Sequence, residues 1–122
     1  MNANLFNYKA NVVRVLDGDT IEIDIDLGFS LTARQRVRLF GINAPEIHSS
    51  NQAEKDAGMK SVAFLRSLLP VGIVVDAKTV KDEDKFGRFL ASILLPDGRD
   101  VATVMLSVGL VKPWDGTGKK PI

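Results

Sequence analysis

Asp17-Gly18-Asp19-Thr20-Ile21-Glu22-Ile23-Asp24-Ile25-Asp26 opens on a turn and continues as strict alternation. Asp-Gly between apolar runs is a hairpin signal. Ile21, Ile23 and Ile25 alternate with Glu22, Asp24 and Asp26, which is the period of a half-buried strand. On its N-terminal side Tyr8 to Leu16 reads as a partner strand, with Val13 and Val15 alternating against Val12 and Arg14. On its C-terminal side Gly28-Phe29 makes a turn, and Leu31 to Phe40 reads as a third strand with Arg34, Arg36 and Arg38 on one face. Three strands joined by short turns form a meander.

The period then changes. From Ser49 to Leu69, Gly58, Val62, Leu65 and Leu69 form one helical stripe, with Ser61, Phe64 and Leu68 beside it. Ser49 or Ser50 is expected to cap this helix, and Pro70 to stop it. Gly72 to Lys78 and Arg88 to Leu95 read as strands four and five, separated by a charged loop at Lys81–Gly87. Val101, Val104, Met105 and Val108 fit a short second helix with Gly109 at its C-cap. Five short strands with one helix between the third and fourth is the element order of an OB-fold: mainly β with α, a five-stranded Greek-key barrel, and a second helix after strand five. Residues 1–114 are expected to form this one domain, and 115–122 a flexible tail.

Composition restricts the function classes. No apolar run approaches the ~20 residues of a membrane-spanning helix. No basic segment followed by an apolar one marks a signal peptide. Cysteine is absent, which excludes disulfides and thiolate metal sites. The formal net charge is only +1, so any nucleic-acid role must come from local placement of charge.

Three segments carry groups capable of chemistry. In Asp17-Gly18-Asp19-Thr20 the second carboxylate sits where the chain re-enters a strand, although the segment also reads as a plain turn. In Val37–Glu46, VRLFGINAPE, an arginine and a carboxylate stand at the two ends of an apolar stretch. Read singly, Arg38 is one of three arginines on a solvated face and Glu46 a loop carboxylate. Between them lie Asn43 and the Ala44 carbonyl, oxygen donors of the kind a hard cation such as Ca²⁺ accepts. In Asp84-Lys85-Phe86-Gly87-Arg88 a second arginine enters a strand after a glycine. Two guanidiniums converging on one anion would hold a phosphate and stabilise its growing charge.

In this order and spacing, DGDT, RLFGINAPE and DKFGR resemble the staphylococcal-nuclease-like (thermonuclease) family from about Asn11 to Lys112. The resemblance implies a Ca²⁺-dependent phosphodiesterase on an OB-fold that cleaves DNA and RNA with little sequence specificity. It implies Asp19, Asn43 and the Ala44 carbonyl as metal ligands, with Asp17 supporting them from behind. Glu46 would position or deprotonate the attacking water, and Arg38 and Arg88 would clamp the scissile phosphate. Water would attack phosphorus in line and leave 3′-phosphate ends. Asp84, Lys85, Phe86 and Trp114 are the expected substrate contacts, and DNA and RNA, best where unpaired, the expected partners of a monomer with no membrane role.

The sequence departs from the family at three places. Asn43 stands where the best-known members have aspartate, which removes one negative charge from the metal site and leaves another divalent metal open. Phe86 stands where relatives have tyrosine. Trp114 lies near a family tyrosine and can stack on a base or pack the tail. The chain also ends soon after Trp114, without the long C-terminal helix of secreted relatives. That points to a short, phage-encoded or cytoplasmic bacterial form, though secretion of a processed form stays open. His48 is given no role, and Lys112, Lys119 and Lys120 read as phosphate contacts or a solubilising tail. The alternative to an enzyme is an OB-fold module, catalytically weakened, that binds single-stranded nucleic acid or a protein. Asn43 favours that alternative; the joint presence of Asp19, Arg38, Glu46 and Arg88 favours the enzyme.

Overall fold

The computed structural model describes residues 6–81 and 88–114. The elements in order are β1 (Asn7–Asp17), β2 (Thr20–Gly28), β3 (Leu31–Leu39), β4 (Gly41–Asn43), α1 (Gln52–Leu68), β5 (Val74–Lys81), β6 (Arg88–Leu94), α2 (Val101–Ser107) and β7 (Lys112–Trp114). Five strands close into a barrel in the order β1-β2-β3-β6-β5, with β5 pairing back onto β1. Only the β3–β6 pair is parallel. This is the expected OB-fold barrel, with α1 between its third and fourth strands. The pair β4–β7 is an addition that periodicity did not reveal, since three-residue strands carry no alternation.

The inward face of the barrel is apolar, but on β1 it is Val12 and Val15, not Val13 and Val15, that are buried, because a bulge between Val12 and Arg14 shifts the alternation. Val12, Ile21, Ile23, Val37, Leu39, Val75 and Ile93 are buried. Helix α1 adds Val62 and Leu65, followed by Leu69 at its C-cap, and α2 adds Val101 and Met105. No described helix is long and apolar enough to cross a membrane.

Three local expectations shift. The α1 N-cap is Asn51, not Ser49 or Ser50: its side chain accepts from the Glu54 N–H at 3.0 Å. Ser49 instead accepts from the Asn51 N–H at 3.0 Å and donates to Glu54 at 2.6 Å, bracing the cap from one turn back. The fourth barrel strand begins at Val74 because Gly72 sits in a turn with φ +89°. Asp100 caps α2, accepting from the Ala102 N–H at 3.1 Å, and the C-cap is Val108, with Gly109 following it.

Candidate active site

The turn between β1 and β2 begins the site. The Asp17 carboxylate accepts the Asp19 N–H at 3.0 Å, a local bond that closes the turn and fixes the Asp19 backbone. The Asp19 carbonyl accepts from the Leu39 N–H at 2.8 Å, which ties the turn to the end of β3. Gly18 lets the turn approach its neighbours. A Cβ there would lie 2.6 Å from the Ala44 Cβ and 2.7 Å from the Ser61 Cβ. Gly58 does the same for the following loop: a Cβ there would stand 2.8 Å from the Pro45 carbonyl oxygen and 2.9 Å from Ile47. Two glycines therefore seat the 44–47 loop between the Asp-Gly turn and α1.

Asp19 is the hub and is only 6% exposed. Its Oδ2 accepts from the Ala44 N–H at 2.8 Å and from Arg38 Nη2 at 3.3 Å. Its Oδ1 accepts from the Thr20 hydroxyl at 3.1 Å. The same Arg38 Nη2 donates to Asn43 Oδ1 at 2.9 Å. Arg88 Nη1 donates to Thr20 Oγ1 at 3.4 Å, so Thr20 joins the second arginine to the hub. The Arg38 guanidinium lies 4.4 Å from the centroid of the Trp114 ring, within cation–π range.

The solvated-face reading of Arg38 is thus corrected. Alternation does put it on the face of Arg34 and Arg36, but Arg38 is 6% exposed while those two are open to solvent. The covering group is Trp114. Gly41, with φ +94°, reverses the chain after β3, and β4 then pairs with β7 so that Gly41 lies opposite Trp114 and Asn43 opposite Lys112. The Ser61 hydroxyl donates to the Leu110 carbonyl at 2.6 Å and pins the segment entering β7 to α1.

The two carboxylates of the turn behave as a pair. Burial pushes the Asp17 carboxyl up to about 7, helped by the hydrogen bond and charge of Asp19. Burial also works against the Asp19 carboxylate, but hydrogen bonds from Asp17 and the Ala44 N–H, the Arg38 charge and Thr20 outweigh it and hold it below the usual range. The paired carboxyl groups thus disfavour carrying two negative charges at once, a cost that a bound cation would relieve.

The donor set fits a hard divalent cation. Asp19, Asp17, the Asn43 amide oxygen and the Ala44 carbonyl are all oxygen donors, and the fold brings residues 43 and 44 beside Asp19 through the Ala44 N–H bond and the shared Arg38. Among the described residues no three His, Cys, Asp or Glu side chains gather, so such a cation would take few protein ligands and complete its shell with water or phosphate.

The other expected residues fall as follows. Glu46 is an exposed loop residue whose carbonyl accepts from the Ser49 N–H at 3.4 Å. Asp84, Lys85 and Phe86 lie outside the described residues. Beside Asn43 a groove of about 560 Å³ runs along the start of α1, lined also by Pro45, Glu54, Lys60 and Lys112. The motifs assign Thr20, Gly18, Gly58 and Ser61 no role in the site; the first two stand in DGDT, and the other two differ from ordinary helix residues only in what packs on them.

An OB-fold barrel that brings two arginines and a buried aspartate together carries the residue types suited to holding an anion. Residues 36–117, more than half of the chain, match the family of staphylococcal nuclease homologues. The chain belongs to that family. It is 34% identical over 113 residues to an uncharacterized endonuclease of Escherichia coli, covering 91% of this chain and 64% of the relative. It is 33% identical over 94 residues to a thermonuclease of Staphylococcus hyicus, covering 77% and 52%, and 36% identical over 92 residues to a micrococcal nuclease of Shigella flexneri, covering 74% and 44%. The chain therefore spans between about two fifths and two thirds of the length of these relatives.

Proposed function

We propose that this protein is a metal-dependent nuclease that hydrolyses phosphodiester bonds of DNA and RNA with little sequence specificity. The observation that carries the reading is the convergence of two arginines on one buried aspartate, Arg38 directly and Arg88 through Thr20. Arg38 and Arg88 bind the two free oxygens of the scissile phosphate and stabilise the charge that gathers there during attack. Asp19, Asn43 and the Ala44 carbonyl hold the cation, with Asp17 behind Asp19. Ca²⁺ is the first candidate, and when bound it supplies further positive charge beside the phosphate. Glu46 orients the attacking water and takes its proton. In-line attack on phosphorus then expels the 5′-oxygen and leaves a 3′-phosphate. The printed names of the relatives, thermonuclease and micrococcal nuclease, support the reading.

A second reading is a nucleic-acid-binding module with weakened catalysis. Its support is Asn43, which contributes no charge and whose amide oxygen is engaged by Arg38. One assay separates the two. Single-stranded DNA, duplex DNA and RNA are incubated with the chain in Ca²⁺, Mg²⁺, Mn²⁺ or chelator, beside the variant Glu46→Gln. Metal-dependent cutting lost in the variant is the expected result. Binding without cutting under every metal overturns the enzyme and leaves the module.

A further inference from the structure

Four residues of the barrel's outer face stand in one cross-strand row. Arg14 on β1 faces Glu22 on β2, Glu22 faces Arg36 on β3, and Arg36 faces Arg88 on β6. Their chain neighbours Val15, Ile21 and Val37 are buried, and Phe89 packs against the core, so the row points outward. At the usual spacing of paired strands the row is about 14 Å long.

Three guanidiniums share this row with a single carboxylate. Two of them, Arg14 and Arg36, share that carboxylate, which leaves one positive charge in excess among these three residues in a chain whose whole net charge is +1. The carboxylate is the sheltered partner: the Glu22 side chain is 13% exposed, against 55% for Arg14 and 54% for Arg36. Arg14 Nε donates to Glu22 at 3.2 Å. Arg36 Nε stands 3.8 Å from its other oxygen, beyond hydrogen-bond length. Arg34, one step further along β3, differs. It has its own carboxylate, Asp24, held by two hydrogen bonds of 2.8 and 3.0 Å, so that pair is neutral.

The row adjoins the candidate active site. Two residues along the strands, about 7 Å, is the row in which Thr20 faces Arg38. Arg88 belongs to the first row by register and reaches Thr20 in the second. An anion held by Arg38 and Arg88 would have Arg36 next to it, with Arg14 further along the same face.

We propose that the Arg14–Glu22–Arg36–Arg88 row is a second phosphate subsite, which takes a phosphodiester adjoining the scissile one on a single-stranded nucleic acid. The proposal rests on the nuclease reading for its choice of polymer. A basic groove that tracks the backbone is how OB-fold barrels grip single strands, over ~4–16 nucleotides. Glu22 lowers the resting affinity of the row, since it partly neutralises the two arginines it pairs with.

The test is binding in chelator, where no metal-dependent cutting occurs. Fluorescently labelled oligothymidylates, a dinucleotide and an octamer, are titrated by anisotropy at several salt concentrations. For Arg14→Gln/Arg36→Gln the octamer is expected to bind about tenfold more weakly, the size of losing charged hydrogen bonds, with much less loss for the dinucleotide. The salt slope should fall by about 1 for each phosphate contact removed. Arg34→Gln, off the row, should match wild type. Because the double variant leaves Glu22 without its partners, Glu22→Gln provides a test of opposite sign: it should bind the octamer more tightly with a steeper salt slope. An octamer affinity insensitive to both the double variant and Glu22→Gln overturns the proposal, as does equal tightening of a duplex and a single strand by Glu22→Gln. Row-dependent binding by a protein that cuts nothing in any metal would retire the nuclease reading and leave the subsite standing.

Discussion

Arg38 lies face-on to Trp114, 4.4 Å from the ring centroid, while its Nη2 bridges Asp19 and Asn43. The ring therefore covers the guanidinium while one of its nitrogens meets both acceptors. Trp114→Ala should cost about 1 kcal/mol in urea unfolding, the scale of a partly desolvated cation–π contact. Trp114→Phe should recover a good part of it. Under the proposed chemistry Trp114→Ala also lowers kcat more than it raises KM, because a loosened Arg38 is poorly aimed at the transition state. A base-stacking role would give the reverse split.

Arg38 Nη2 touches the same two groups, Asp19 and Asn43, proposed to hold the cation. A cation at those oxygens would repel the guanidinium and compete with it for their lone pairs, so loading the cation should loosen the arginine's contacts. Trp114 is the single tryptophan, and its emission reports on the group beneath it. Titration with Ca²⁺ should change Trp114 fluorescence saturably in the wild type and leave Asp19→Asn unchanged. A flat response in the wild type would mean that Ca²⁺ does not enter between these residues.

The two ion pairs at either end of the β3 arginine file differ in kind. Arg38–Asp19 is buried, with side chains 7% and 9% exposed, whereas Arg34–Asp24 is a surface pair. Removing one partner of a buried pair strands the other charge, so Arg38→Ala should destabilise by roughly 3–5 kcal/mol. Arg34→Ala should be close to silent, since exposed pairs contribute little. Paired urea titrations at neutral pH compare them.

Asp17 and Asp19 impose opposite pH dependences in separate windows. The folded Asp17 value of about 7 lies above its ordinary 3.8, so its contribution to stability is complete below about 3.8 and lost as pH rises through about 7. The lowered Asp19 value gives a contribution present above 3.8 and lost as pH falls through its folded value. In chelator the melting temperature should decline between pH 5 and pH 8, and Asp17→Asn should flatten that decline. Added divalent cation should stabilise progressively more over the same interval, because it takes the place of the Asp17 proton.

Gly18→Ala places a methyl 2.6 Å from Ala44 Cβ, and Gly58→Ala places one 2.8 Å from the Pro45 carbonyl oxygen. Each should destabilise by about 1–3 kcal/mol, the range for overpacking. Both push on the loop that carries Ala44 and Glu46, so activity should fall further than stability alone accounts for. Activity measured well below the melting temperature separates the two effects.

The barrel was legible because its strands are long enough to alternate. Ile21, Ile23 and Ile25 marked β2, and the Gly58–Val62–Leu65 stripe marked α1, with burial following in each case except that Ile25 is only partly covered. The motif residues Asp19, Arg38 and Arg88 were legible as a set, by family resemblance. The surroundings of Arg38 were not. Alternation assigns a residue to a face but cannot say whether another segment lies over that face, and here three-residue β4 and β7 bring Trp114 across it. The Arg14–Glu22–Arg36–Arg88 row was hidden for a similar reason: it crosses four strands, and only register brings its members together.

Gly18, Ser61 and Gly58 make α1 the common anvil of the Asp-Gly turn, the 44–47 loop and the segment entering β7. The helix joins the rest by side-chain packing, whereas the barrel strands are tied to one another by a closed ladder of backbone hydrogen bonds. Packing against one element is the less cooperative attachment, and partial opening begins where such attachments are weakest. On warming, amide exchange should therefore accelerate along 52–68 before it does in the barrel, and function should disappear in step with that exchange while the sheet signal in circular dichroism persists.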